Sequence, residues 1–411
     1  MLSLDAVAAA APSGDLDPND AVREEMPLLP LSKRIQYAVL WFLWTRLLNL
    51  SQYYNSIKTL FVPPAIKPAD LVKRYPARPS LSVRIFYPPS YTPPPHASHS
   101  TTTRLPTILT IHGGGFILGT STTNETYNRT LSTTHSLLTI ALDYRKAPLH
   151  PFPTATHDLA FLIHALLSDA SLPIDPARVA LVGWSAGANL ALSVAQLPAM
   201  QGRIRAVVPC YPVVDYTVPN TVKALGRQYK PSLPGHYRSR PLGGDMLTSL
   251  MPLFDWAYVE PGQRCDDPLL SPYYADREML PKDVFLVACE LDMLAAEAWR
   301  MACRWAGRRV PGREEKVGRA EVVGGPGGGD GEGVLVGEED ERYAWEEVKE
   351  EDGSRVRWLL VPDTIHGFDQ EEIEQVVTSD EEFAADARVK RGKVMGIMAE
   401  WLKESFARVE E

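Results

Sequence analysis

Seven short apolar, β-rich runs punctuate the chain, with helical stretches between them: LSVRIFY (81–87), TILTIH (107–112), LLTIALD (137–143), RVALVGW (178–184), AVVPCYPVV (206–214), VFLVACE (284–290) and RWLLVPD (357–363). Several are continuous rather than alternating, the pattern of strands covered on both faces. Segments such as 155–169 and 187–197 supply the covering helices. Strand–helix alternation of this kind requires an α/β fold with a mostly parallel sheet. A chain of 411 residues, 45% of them hydrophobic, can bury such a core.

Four regions fall outside that rhythm. Residues 1–30 read as a flexible amino-terminal arm. Residues 35–50 are helical in composition, and their longest apolar run, Tyr37–Trp44, is too short to span a membrane. Two readings stay open for this helix, a dock on the protein's own surface or a peripheral membrane contact. Residues 216–264 are rich in Pro, Gly and aromatics, as for a cap over one end of the sheet. Residues 311–354 contain GGPGGGDGEG (324–333) between acidic runs and read as a flexible surface insertion. Between Arg313 and Asp352 stand fourteen Asp/Glu against five Lys/Arg, which equals the whole chain's net charge of −9. The acidity thus belongs to one segment, and nothing in the charge pattern favours nucleic acid. Cys210, Cys265, Cys289 and Cys303 have no metal-binding or disulfide spacing and read as buried thiols. The amino terminus lacks the basic segment of a secretory signal, so a cytoplasmic location is expected, with or without peripheral membrane contact.

LVGWSAGANL (181–190) holds a Gly-x-Ser-x-Gly centred on Ser185, after a strand and before a helix. That context is the one a serine nucleophile on a tight turn needs. A hydroxyl attacks only when a base takes its proton. Acid and base should follow the serine along the chain, in that order. Beyond residue 236 the sole histidine is His366, in IHGFD after a strand. Asp292, in VFLVACELDML, is the expected acid, with Asp215 and Glu290 as rivals. Upstream, IHGGGF (111–116) follows a strand. The amides of Gly113, Gly114 and Gly115, with that of Ala186, would form an oxyanion hole. His112 reads as a hydrogen-bonder that fixes this loop. Pocket walls are expected from Phe116, Trp184, Tyr211, Tyr216 and Trp256.

The set HGGGF (112–116), DYRKAPLHPFPTATHD (143–158), GWSAGANLA (183–191), LLSPYYA (269–275), ELDMLAAE (290–297) and IHGF (365–368) resembles the hormone-sensitive-lipase branch of the α/β-hydrolase superfamily. The resemblance covers roughly residues 80–310 and 355–405. It implies an eight-stranded sheet and hydrolysis of carboxylic esters with no metal or organic cofactor; the aromatic pocket walls make a small-molecule ester of apolar acyl or aryl type the expected substrate. The resemblance also implies a helical cap made of 31–77 and 216–264 over a core of 78–215 and 265–411. Two alternatives on the same fold are a membrane-associated lipase or deacetylase and a non-catalytic small-molecule receptor. The receptors lose the histidine that this chain keeps. The sequence departs from the family at Trp184, where an acidic residue is usual, at Lys146 and Leu149, where Leu and Glu are usual, and in the long gap from Asp292 to His366.

Overall fold

In the computed structural model, residues 22–62, 66–93, 103–233, 235–238, 246–324, 332–370 and 381–408 are described. Each of the seven expected runs contributes a strand. These are β2 (Ser82–Phe86), β3 (Leu105–Ile111), β4 (Leu138–Leu142), β5 (Ile174–Trp184), β6 (Ala206–Cys210), β7 (Asp283–Cys289) and β9 (Arg355–Val361). The run expected over 206–214 leaves the sheet after Cys210, where Tyr211 turns the chain with φ 40°. Two further strands lie at the edges, β1 (Leu71–Arg74) and β8 (Ala344–Val348). The sheet therefore has nine strands among the described residues, not eight, in the order β1-β2-β4-β3-β5-β6-β7-β9-β8. From β4 to β9 neighbouring strands are parallel, while β1, β2 and β8 pair antiparallel.

Parallel neighbours need crossovers, and helices make them. They are α2 (Glu125–His135), α3 (Thr154–Leu167), α4 (Ala186–Ala195) and α7 (Ala295–Ala306). The last of these stops at Gly307, whose φ of 75° suits a left-handed helix terminus. The sheet separates two apolar cores. Leu159, Leu162, Val194 and Met301 fill the one under α3, α4 and α7, and Tyr127, Leu131, Met398 and Leu402 the one under α2 and α8 (Glu381–Ala407). Strands β4, β6 and β7 are buried along their whole length, which accounts for their continuous apolar sequence. Over the first core lie α1 (Leu31–Phe61), α5 (Asn220–Lys223) and α6 (Met246–Tyr258), so helices do form in both stretches expected to cap the sheet.

Two expectations need correction. The described part of the arm, 22–30, is tied to the segment that follows β6. Arg23 N–H donates to Thr217 O, Met26 N–H to Gln263 O, and Cys265 N–H to Glu24 O. The stretch 311–354 is also part of the fold where it is described, although most of its glycine-rich run (325–331) lies outside the described residues. Val317 is fully buried, and β8 adds to the sheet edge. Acidic composition is compatible with that position. Ala344 and Trp345 point into the core, while Glu346 and Glu347 are half-buried and Glu346 accepts from Arg355 and from Trp401 Nε1. All four cysteines are buried and free.

Candidate active site

Strand β5 ends at Trp184 and α4 begins at Ala186, so Ser185 alone makes the turn. Its φ of 53° and ψ of −119° are strained for a residue with a side chain. The flanking glycines are required by close approach. A Cβ on Gly183 would stand 2.2 Å from Gly187 O, and one on Gly187 would stand 2.2 Å from Ile111 O. Strand β3 and helix α4 can therefore meet at this turn only without side chains.

Ser185 Oγ lies 2.8 Å from Nε2 of His366. Nδ1 of the same ring lies 2.6 Å from Asp292 Oδ2. A carboxylate can only accept, so Nδ1 carries the proton toward Asp292 and Nε2 is left to accept from the serine hydroxyl. Asp292 is 1% exposed, and its other oxygen accepts the N–H of Leu294 at 3.0 Å. The three residues stand at the carboxyl ends of β5, β7 and β9, brought together although His366 lies 181 positions from Ser185. Tyr211 packs its ring edge-on to the imidazole, with centroids 4.8 Å apart.

The loop after β3 runs beside this turn. A Cβ on Gly113 would sit 3.0 Å from Trp184 O and 3.3 Å from Ser185 Cβ. Gly114 and Gly115 have φ of 108° and 58°, and a Cβ on Gly115 would stand 2.5 Å from the Phe254 ring. Among the described residues no backbone acceptor takes the N–H groups of Gly113, Gly114 or Gly115. Ala186, as the first residue of α4, carries one of the unpaired donors of a helix start. His112 braces the loop, donating from Nδ1 to Gly113 O at 2.7 Å and stacking on Tyr144. Burial, helped by the nearby Lys146 ammonium, holds its pKa below the usual histidine value. Lys146 in turn pairs with Asp143 at 2.7 Å, a polar role where the family's usual Leu would have none.

The rival acids are elsewhere. Asp215 is fully buried and accepts from Thr217. Glu290 joins a buried cluster instead. Its carboxylate accepts from Lys230 Nζ (2.6 Å), Asp363 N–H (2.8 Å), Tyr343 OH (2.6 Å) and Arg319 N–H (2.9 Å). Lys230 also pairs with Asp363 at 2.5 Å. Asp363 accepts the N–H groups of Val323 and Gly324 as well. This cluster fastens the 216–264 segment and the acidic insertion to the two loops that carry Asp292 and His366.

The expected pocket aromatics divide. Phe116 and Tyr216 are 2% exposed and offer almost no surface to a substrate, the former stacked on Tyr258 with centroids 3.6 Å apart. Trp256 is half-buried against Tyr37 of α1. Trp184 does not face the cap. It shares the strand face of Val182, so its side chain enters the core under α2 and α8, edge-on to Tyr127. There its Nε1–H donates to Asp369 Oδ2 at 3.2 Å. Asp369 is buried and also accepts from Tyr211 OH (2.5 Å) and Gln370 (3.1 Å). Burial pushes its pKa up, against the pull of those donors. Sequence reading missed Asp369; its only signal was an acid three residues after the histidine.

The model of a family described as having an alpha/beta hydrolase fold matches residues 108–317, just over half the chain. The chain belongs to the α/β-hydrolase family. This α/β-hydrolase is 30% identical over 208 residues to an arylesterase of Saccharolobus solfataricus, covering 50% of this chain and 63% of that one. It is 34% identical over 140 residues to an ethyl acetate hydrolase of Pseudomonas putida, covering 33% and 42%. The aligned regions thus span less than two thirds of these curated relatives' lengths. Among solved structures, a hyperthermophilic esterase from Pyrobaculum calidifontis superposes with a TM-score of 0.56 at 22% identity, covering 92% of this chain and 99% of that one. A structure titled as an arylesterase gives 0.54 at 21%, covering 93% and 100%. At such identities the superpositions speak for the fold, and the sheet of this α/β-hydrolase shares it.

Proposed function

We propose that the protein hydrolyses carboxylic esters through an acyl-enzyme on Ser185, with His366 as base and Asp292 as its partner. The observation that carries this reading is the continuous hydrogen-bonded chain from Ser185 Oγ through His366 to Asp292. Ser185 Oγ attacks the ester carbonyl while its proton passes to His366 Nε2. Asp292, held by Leu294 N–H, stabilises the imidazolium that results. Negative charge on the former carbonyl oxygen is met by the amides of Gly113, Gly114, Gly115 and Ala186. Collapse expels the alcohol, which takes the proton from His366. Water then attacks the acyl-enzyme, gives a proton to the same nitrogen, and releases the acid and the free serine.

Relatives named arylesterase and ethyl acetate hydrolase favour small apolar acyl or aryl esters as substrates. The test is a chain-length series of p-nitrophenyl esters with the wild-type protein and Ser185→Ala, alongside labelling by a fluorescent alkyl phosphonate. Loss of Ser185 should lower kcat by about 10⁴-fold or more and abolish labelling. Undiminished turnover by a pure Ser185→Ala sample would refute the assignment. A wild-type protein that neither turns over esters nor takes the label would favour the receptor alternative.

A further inference from the structure

We propose that α1 docks the protein on a phospholipid surface that carries anionic headgroups. The helix has two apolar sides, and only one is used. Tyr37 is buried, and Leu40, Trp41 and Trp44 pack beside it against the core, with Tyr37 meeting Trp256 of α6 at 6.0 Å. The opposite side faces water. Leu31, Ile35, Val39, Phe42, Leu43, Leu47 and Leu50 recur every three or four residues, each between 47% and 67% exposed. Leu28 before the helix and Phe61 at its end extend the same exposure. Water-facing helices of folded proteins normally present polar residues on this side, and a contiguous apolar stripe of this length marks a contact surface.

Charge selects the occupant. Over its 31 residues α1 has no Asp or Glu, yet it carries Lys33, Arg34, Arg46 and Lys58, in a chain whose net charge is −9. Arg34 and Arg46 are exposed within the apolar stripe, and Arg46 lies 4.9 Å over the Phe42 ring. Apolar side chains flanked, within the helix, by cations and no acids suit the boundary between acyl chains and anionic headgroups. A second copy of α1 would bring the same cations and no acid to pair with them. No helix among the described residues is long and apolar enough to cross a membrane, so α1 would lie along the surface. Its inner side rests on α6, whose Phe254 abuts Gly115 beside Ser185; a lipid-bound α1 therefore holds the candidate active site near the bilayer.

The test is flotation of the full chain with vesicles of phosphatidylcholine alone or with 30% phosphatidylserine, in wild-type and Ser185→Ala forms. Using both forms separates docking from the hydrolase reading, since binding needs no turnover. Wild-type protein should bind the anionic vesicles at least tenfold better than the neutral ones and be released by salt. Ile35→Gln/Phe42→Gln/Leu47→Gln should weaken binding by about a hundredfold or more, each buried seat being worth roughly tenfold. Arg34→Glu/Arg46→Glu should erase the preference for anionic lipid. Circular dichroism and thermal melting of both variants should match wild type, showing that they fold. Three results would overturn the proposal: no wild-type binding to either vesicle, binding indifferent to both variants, or a wild-type dimer in gel filtration that the triple variant converts to monomer. The last would make a second copy the occupant.

Discussion

Replacing Lys230 by Met should expose how much the region around the candidate active site depends on a single buried ammonium. Lys230 is fully buried and lies 2.6 Å from Glu290 and 2.5 Å from Asp363, themselves 0% and 4% exposed. As ions the three groups sum to one negative charge; without the lysine two carboxylates face each other out of water. Removing one member of a buried ion cluster costs about 3–5 kcal/mol. At roughly 2.1 cal/mol/K per residue, the unfolding entropy of a chain this long is about 0.9 kcal/mol/K, so Tm should fall by about 3–6 °C. Urea titration followed by tryptophan fluorescence measures the free energy, and scanning calorimetry the shift. Lys230→Met/Glu290→Gln returns the cluster to one negative charge, since Asp363 keeps the amides of Val323 and Gly324. That double variant should recover a substantial part of the loss. Turnover of a soluble ester should fall in the single variant, because Glu290 and Asp363 are two and three residues from Asp292 and His366. A single variant within about 1 kcal/mol of wild type, or a double variant no better than the single, would refute the reasoning.

Three other perturbations follow from the same geometry. Burial raises the pKa of Asp369, so the folded state holds its proton over a range where the unfolded chain has released it. Stability from this group is therefore present below about pH 4 and lost as pH rises through the raised value; in Asp369→Asn that slope should vanish, as read from Tm between pH 4 and 8. Trp184→Phe deletes the N–H that reaches Asp369 and should cost about 1–3 kcal/mol in urea unfolding. Its acyl-chain preference should stay unchanged, because the ring packs under α2 and α8. Gly115→Ala should impair turnover by pressing a methyl onto Phe254, and Phe254→Ala in the same chain should restore a measurable fraction, seen in kcat for a p-nitrophenyl ester.

The parallel core was legible because full burial leaves a strand no choice of composition: β4, β6 and β7 are apolar throughout. Ser185, Asp292 and His366 could be picked out because each sits just past a strand, and around Ser185 the flanking glycines answer to contacts of a few ångströms. The edges were not legible. β1 is largely exposed and β8 is half acidic, so backbone pairing rather than side-chain pattern defines both. Nor was the role of Trp184, for a strand's period of two says that neighbours point apart but not which face a single tryptophan takes. Lys230 and Asp369 are polar residues buried by partners far away in the chain, and no local pattern marks such a place.

Strand β8 has a consequence for behaviour at high concentration. Without it β9 would border the sheet, and an open row of amide and carbonyl groups beside Trp358 and Leu360 would invite pairing with another molecule. β8 occupies that row for five residues, Glu346 and Glu347 among them, while the far border ends in the four-residue β1 with Lys73 and Arg74. Each border is short and carries charged side chains, Glu347 paired with Arg308 and Lys73 with Asp169, and a short charged edge strand is a poor template for another chain. The acidic stretch thus works as a gatekeeper against self-association of the sheet.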